Sequence, residues 1–395
     1  MADDSRPRPP LCTYDFVVLC LVTLFGFANI AMFYSFHVYM QRLGLPPDWR
    51  GPLLALEPMA ALVLRPFLGP RLTPWNATRA ALAGLAAMAL ALLCYPLARS
   101  VWPLALVRLL HGAGFVVLVS SVAVLLAHVL PRERSGQGFG VYTVATLLPF
   151  ALIPPLVEAL LRILGDEALV YAWAAILCLP SALFLLPLGR RLARQAPAAP
   201  LATTGSKTLA GLRLPGVPRL LIAALFLFLA TTPVTFFIKR LALDAGLDDP
   251  GLFFSVSMAA TIATRLFFGR LFDRLPKGPV TALALAGLAL CLACLGLARD
   301  GASLLTLAAL YGLCLGVAMP LLNASIFLAT PPNLRGVVLN LFLFTMDAGT
   351  ALGPLLGGLL LARGVSLEGV YQVCGLAAAM GLCWVLAART RDSAG

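Results

Sequence analysis

Twelve stretches of this chain each run for about twenty residues with few charges. They lie near 14–40, 51–70, 77–97, 101–129, 137–163, 168–189, 218–240, 250–270, 279–298, 303–329, 336–362 and 367–388. About twenty apolar residues in a helix cross a bilayer core. Inside lipid, only helices or closed barrels satisfy every backbone hydrogen bond. The runs are continuous and rich in Leu and Ala rather than alternating, so they predict helices. The expected fold is an all-α membrane protein with twelve transmembrane helices. Prolines such as Pro58, Pro149, Pro154, Pro155 and Pro354 fall inside the runs, where each removes a backbone donor and predicts a kink.

The charge content agrees. Only 12% of residues are charged, the mean hydropathy is +0.94 and 61% are hydrophobic, against about 25% charged in a soluble domain. A soluble two-domain protein is excluded on that ground. The formal net charge of +12 would suggest nucleic acid in a soluble chain. Here the basic residues are divided among short connectors, with no basic stripe interleaved with aromatics, so no nucleic-acid partner is expected. They set orientation instead. With both termini assigned to one side, the connectors of that side carry twenty Lys and Arg against eight on the other. That bias places both termini in the cytoplasm of a bacterial inner membrane. The run after the polar N-terminus is too long for a signal-peptide core and lacks an A-x-A pattern, so it is expected to remain as the first helix.

The chain repeats itself. GPLLALEPMAALVLRPFLG (51–69) aligns without a gap on GLFFSVSMAATIATRLFFG (251–269), matching Gly51 with Gly251, Ala60 with Ala260, Arg65 with Arg265, Phe67 with Phe267 and Gly69 with Gly269. ALAGLA follows both, at 81–86 and 284–289. The predicted organisation is a cytoplasmic tail (1–13), a six-helix bundle (14–189), a basic Ala/Pro/Gly-containing linker (190–217), a second and pseudo-symmetric bundle (218–388) and a short tail (389–395). Repeated halves with a site between them near mid-bilayer are a carrier architecture.

RLFFGRLFDRLPKG (265–278) resembles the connector between the second and third helices of the major facilitator superfamily, roughly G-x-L-x-D-R-x-G-R-[KR], with Gly269, Asp273, Arg274 and Lys277 matching. Arg108-x-x-His111-Gly112-x-Gly114 is similar to the R-x-x-x-G-x-G motif of that family's fourth helix, and PRERSGQG (131–138) to its following connector. The resemblance implies a gate built from Arg65, Gly69, Arg265, Gly269, Asp273, Arg274 and Lys277. In the first half the family's aspartate is Thr73, which implies a weaker latch there. The glycine-rich mark of proton antiporters, expected at 146–159, is missing, and a similar phrase, DAGTALGPLLGG, stands at 347–358.

A charge inside a span is costly and is by default a functional candidate. Glu57 and Arg108 lie at matching depths in their runs, and His111, three residues on, shares the face of Arg108. Asp347 falls near the middle of the eleventh run. A carboxylate that gains and loses an arginine as two halves rock would change its proton affinity with conformation, which is what proton coupling requires. Asn29, Phe33, Tyr34, Thr232, Phe236 and Asn323 are the candidate lining of a substrate cavity. No nucleotide-binding, metalloprotease or Ser/His/Asp pattern occurs, so neither an enzyme nor a cofactor is expected.

These readings lead to a secondary active carrier of a small organic molecule, working by rocker-switch alternating access. Its expected partners are its solute, protons and the lipid bilayer, and it is expected to be a monomer. The leading expectation is proton-coupled efflux by antiport. The alternative is uptake of an organic anion or siderophore, and the rival from another class is a non-transporting receptor or scaffold.

Overall fold

The structure is a computed structural model describing residues 12–130, 134–192, 210–331 and 334–389. The linker calls at 193–209 and the tails 1–11 and 390–395 lie outside the described residues. Helix after helix follows the apolar runs: α1 Tyr14–Arg42, α2 Pro47–Arg71, α3 Pro74–Leu97, α4 Val101–Val129, α5 Ser135–Leu164 and α6 Glu167–Leu192. Then come α7 Val217–Asp244, α8 Leu252–Arg274, α9 Lys277–Leu295, α10 Gly301–Leu328, α11 Arg335–Ala362 and α12 Leu367–Arg389. Among the described residues, eleven helices are long and apolar enough to cross a membrane. In α8 the apolar stretch described, Leu252–Phe267, includes Ser255, Ser257, Thr261, Thr264 and Arg265.

Helix ends are set by local chemistry. The Phe16 amide donates to Thr13 Oγ1 at the start of α1, and the Ala168 amide to Asp166 Oδ1 at the start of α6. Such caps satisfy amides that have no partner within the helix. The chain leaves α5 through Gly165 at φ 71°, a left-handed conformation that costs glycine little. Prolines 58, 149, 154, 155 and 354 all lie within continuous helices.

Helix packing follows the 200-residue offset of the sequence repeat. In the first half α4 packs on α2 and α3, and α1 on α5 and α6; in the second, α10 packs on α8 and α9, and α7 on α11 and α12. Two main joints link the halves, α2 with α11 and α5 with α8, and the far part of α1 also meets α7. Residues at the contacts obey the same offset. Gly51 meets Leu355 and Gly358, while Gly251 meets Pro154 and Pro155. Gly112 lies against the backbone of Glu57, and Gly312 against that of Ser257. Large apolar side chains such as Leu97, Trp102, Leu106, Ile163, Phe267 and Leu283 point outward, as a surface facing hydrocarbon requires.

The Gly112 contact yields a direct expectation. A Cβ there would lie 2.5 Å from the Glu57 carbonyl oxygen, so helix backbones touch, as small residues allow in membranes. Gly112→Leu should force α2 and α4 apart and cost at least about 1–3 kcal/mol. This should appear as a lower thermal midpoint in detergent. Gly69→Ala is the matched control. A Cβ at Gly69 meets nothing within 4 Å, and alanine favours helix by about 0.5–1 kcal/mol, so its midpoint should not fall.

Candidate functional site

Three charged constellations and one cavity stand out. The first lies within the first half. Arg108 is 1% exposed, and its guanidinium donates weakly to the carbonyls of Leu53 and Leu54, both at 3.4 Å. Glu57 Oε2 lies 3.8 Å away, so the matched depths do bring these two residues together. The cation sits over the rings of Phe33 (5.1 Å) and Phe36 (4.7 Å), an arrangement that stabilises a desolvated charge. His111 is fully buried beside Phe33 and Tyr95. This cluster lies on α1, α2, α3 and α4 of one half.

The second constellation joins the halves. Arg65, on α2, donates to Asp347, on α11, from Nε at 2.5 Å and from Nη2 at 3.1 Å. A two-pronged guanidinium–carboxylate bond is the strong form of an ion pair. Both side chains are largely buried, at 15% and 7% exposure. The pair lies toward the end of the molecule that carries the described termini.

The third lies toward the far end. Lys239 on α7, 2% exposed, donates to Glu158 Oε1 on α5 at 2.6 Å. The Tyr34 hydroxyl on α1 donates to the same oxygen. Lys239 also lies over the Tyr34 ring, and Phe254 of α8 meets that ring edge-on at 5.6 Å. Elements of both halves therefore seal the far side through one carboxylate. Neither Glu158 nor Lys239 emerged from the sequence. An acid six residues inside an apolar helix was the available signal for Glu158. Lys239 stands at the end of its run, 218–240, where a cation is ordinary.

The cavity lies between the halves on the termini side. It has a volume of about 480 Å³ and is lined by α5 (Phe139 to Leu147), α8 (Ile262, Arg265, Leu266), Lys277 at the start of α9, and α10 (Met319 to Ala324). The Tyr34–Glu158–Lys239 contacts join the halves toward the far end, where a smaller cavity of about 310 Å³ lies beside His37, Arg50, Phe237 and Arg240.

A profile of the Major Facilitator Superfamily matches residues 16–342 and 220–394. The chain belongs to the major facilitator superfamily. A gallate transporter of Pseudomonas putida is 28% identical, over 95% of this chain and 91% of that protein. Crystal structures of the nucleoside transporter NupG superpose with TM-scores of 0.75, for a mutant form, and 0.70, at 14% and 15% identity. Each covers 95% of this chain, and 99% and 98% of theirs respectively. They share its fold. The chain is thus a multi-pass membrane protein of a transporter family.

Within this major facilitator fold the motif residues take unexpected places. Arg65 holds Asp347 in the membrane-spanning region rather than closing a connector. Gly69 faces open space, so no close approach demands glycine there. Thr73 precedes α3 and its amide donates to Asn76 Oδ1 at 2.8 Å, so the position of the missing aspartate serves as a helix start. Arg265 and Lys277 line the cavity, while the side chains of Gly269, Asp273 and Arg274 lie outside the described ones. The glycines of the α11 phrase have a packing role: Gly349 and Gly353 let α11 approach Leu225, Leu229 and Pro233 of α7.

Of the six residues expected in a substrate cavity, Asn323 lines the one described above. The other five are not among its lining residues. The Asn29 amide donates to the Ala174 carbonyl within the first half, and Phe33 stacks on Tyr171 at 4.4 Å. Tyr34 belongs to the far-side seal. The Thr232 hydroxyl donates to its own helix at Phe228, and Phe236 is buried in the core. For Phe33 and Tyr34 the reason is a 3-10 turn at Met32–Ser35. At three residues per turn each residue advances by about 20° more than in an α-helix, so a face read along α1 has drifted by about 40° at Phe33 and about 60° at Tyr34.

Proposed function

We propose that this chain is a proton-coupled carrier of a small organic anion, importing it into the cytoplasm by alternating access. In this reading twelve spans form two six-helix bundles, 14–189 and 218–388, which rock about the cavity between them, with the termini facing the cytoplasm. The observation that carries it is the opposition of the Tyr34–Glu158–Lys239 seal to a cationic hollow at the other end. The likeness to a gallate transporter, whose named solute is an aromatic carboxylate, supports an anionic solute.

Electrostatics ties inward movement of an anion to proton coupling. Moving one negative charge inward against a potential negative inside costs about 2.3 kcal/mol per 100 mV. Protons entering with the anion offset that cost, whereas an exported anion is driven outward by the same potential. Three carboxylates in this chain, Glu57, Glu158 and Asp347, each face a cation inside a helix bundle. Such pairs are the groups that would take up and release protons as the halves move.

The test uses purified protein in proteoliposomes, with protein-free vesicles as the control for passive entry of weak acids. Gallate should accumulate above its equilibrium level when the outside is acidic, and a protonophore should abolish this. Gallate flux indifferent to the proton gradient would remove the coupling. Accumulation only with an acidic lumen would mean antiport and return the chain to the efflux reading. No flux of gallate or uridine at all would favour the receptor or scaffold.

A further inference from the structure

The two halves treat one arginine differently. Arg65 and Arg265 occupy equivalent positions, 200 residues apart, on α2 and α8. Arg65 is matched by Asp347 on α11. Subtracting the same 200 from Asp347 gives Leu147 on α5. The register holds along these helices, because Pro154 aligns with Pro354, and because the Gly51–Leu355 and Gly251–Pro155 contacts repeat each other. Arg265 therefore faces a place where its counterpart has a carboxylate and it has a leucine.

The consequence is visible at the guanidinium. Arg265 Nε is buried with no hydrogen-bond partner, and Nη2 reaches only the sulfur of Met319, at 3.4 Å. Among the described side chains no carboxylate lies within ion-pair distance of it. A half-buried cation whose Nε is shut away from water without a counter-charge is expensive. Both Arg265 and Leu147 line the 480 Å³ cavity, a size within the ordinary range for small-molecule sites.

We propose that Arg265 binds the carboxylate of the carried solute, which takes the place that Asp347 fills opposite Arg65. The inference rests on the reading of the chain as an organic-anion carrier and names the residue that recognises the anion. A guanidinium suits this role because its planar fork grips both carboxylate oxygens. The other walls define the rest of the ligand. The hydroxyls of Thr143 and Thr146 donate to the carbonyls of Phe139 and Thr143, at 2.8 and 2.7 Å, which leaves their oxygens free to accept. Asn323 adds an amide that can donate or accept. Phe139, Ile262 and Pro320 offer apolar surface. The class is a small carboxylic acid with an apolar, ring-sized body bearing hydroxyl groups.

The experiment is equilibrium binding to the full-length protein in detergent. The probes are benzoate, 4-hydroxybenzoate and gallate, each beside its uncharged amide, with uridine as a neutral solute of another class. Wild-type protein should bind at least one acid about tenfold or more tightly than its amide, the scale of a charge-assisted hydrogen bond. Arg265→Gln should erase that preference, and Arg265→Lys should retain part of it. Leu147→Asp supplies the missing internal acid, so it should abolish acid binding without lowering the thermal midpoint. It remains decisive should Arg265→Gln fail to fold. Acid binding unchanged in folded Arg265→Gln or Leu147→Asp protein would overturn this assignment and leave the anion carrier standing. Wild-type protein that binds uridine or the amides but none of the acids, or none of the probes at millimolar concentration, would sink both.

Discussion

Glu158→Gln should open the far side of this protein. The substitution leaves Lys239, 2% exposed, without its counter-charge and weakens the bond from Tyr34. Removing one member of a buried pair costs about 3–5 kcal/mol. Because Glu158 and Lys239 belong to different halves, that cost falls on the closed arrangement, and separating the halves lets water reach the lysine. A bias of this size shifts the balance of closed and open forms by roughly a hundredfold or more. Spin labels at Ile163 and Leu252, exposed residues near the far ends of α5 and α8, should report a longer distance. Lys239→Met should act in the same direction by stranding the carboxylate. The double variant Glu158→Gln/Lys239→Met should return toward the wild-type distance, since deleting both charges is far cheaper than stranding one. Identical label distances in wild type and both single variants would show that the pair holds nothing closed.

Asp347→Ala should be equally severe at the opposite joint. It strands Arg65, which now spends two donors on the lost carboxylate, and again about 3–5 kcal/mol is at stake. Transport should fall at least tenfold, with a lower thermal midpoint. Arg65→Lys should rescue poorly, because an ammonium is a point charge and cannot form both bonds at once. The exchange Arg65→Asp/Asp347→Arg should recover part of the stability. A charge-swapped protein no better than either single variant would argue against a direct pair. Asp347→Asn separates holding from coupling. It keeps a polar side chain but cannot ionise, so substrate exchange without proton-driven accumulation would assign the coupling proton to this carboxylate. Unchanged flux and unchanged coupling would remove Asp347 from the mechanism.

Much of the architecture could be read in the chain because hydrocarbon permits few solutions. A run of twenty apolar residues becomes a helix wherever it occurs, and the match of 51–69 with 251–269 carried the register of the repeat. Counting residues from a span end was enough to bring Glu57 to Arg108, since depth in a helix is linear in sequence. Lateral position is not. Lys239 and Glu158 stand 81 residues apart in different halves, and nothing local in either stretch names the other. Asp347 was conspicuous by its depth, yet its partner Arg65 was absorbed into a connector motif. Five of the six expected cavity residues lie away from the cavity at Arg265. Which face of a helix looks inward depends on every turn before it, and a 3-10 turn at Met32–Ser35 shifts that face part-way along α1.

The glycine contacts at the two joints bear on how such a molecule could move. Within each half, Gly112 and Gly312 bring backbone onto backbone, tying α4 to α2 and α10 to α8, the helices that form the joints. Across the joints, Gly51 meets Gly358, and Gly251 meets a proline pair, so at these two points backbone approaches backbone without side chains between. Smooth surfaces of this kind behave as a bearing. The two bodies can swivel without first unmeshing teeth, and resistance to turning is concentrated in the few electrostatic clasps at either end.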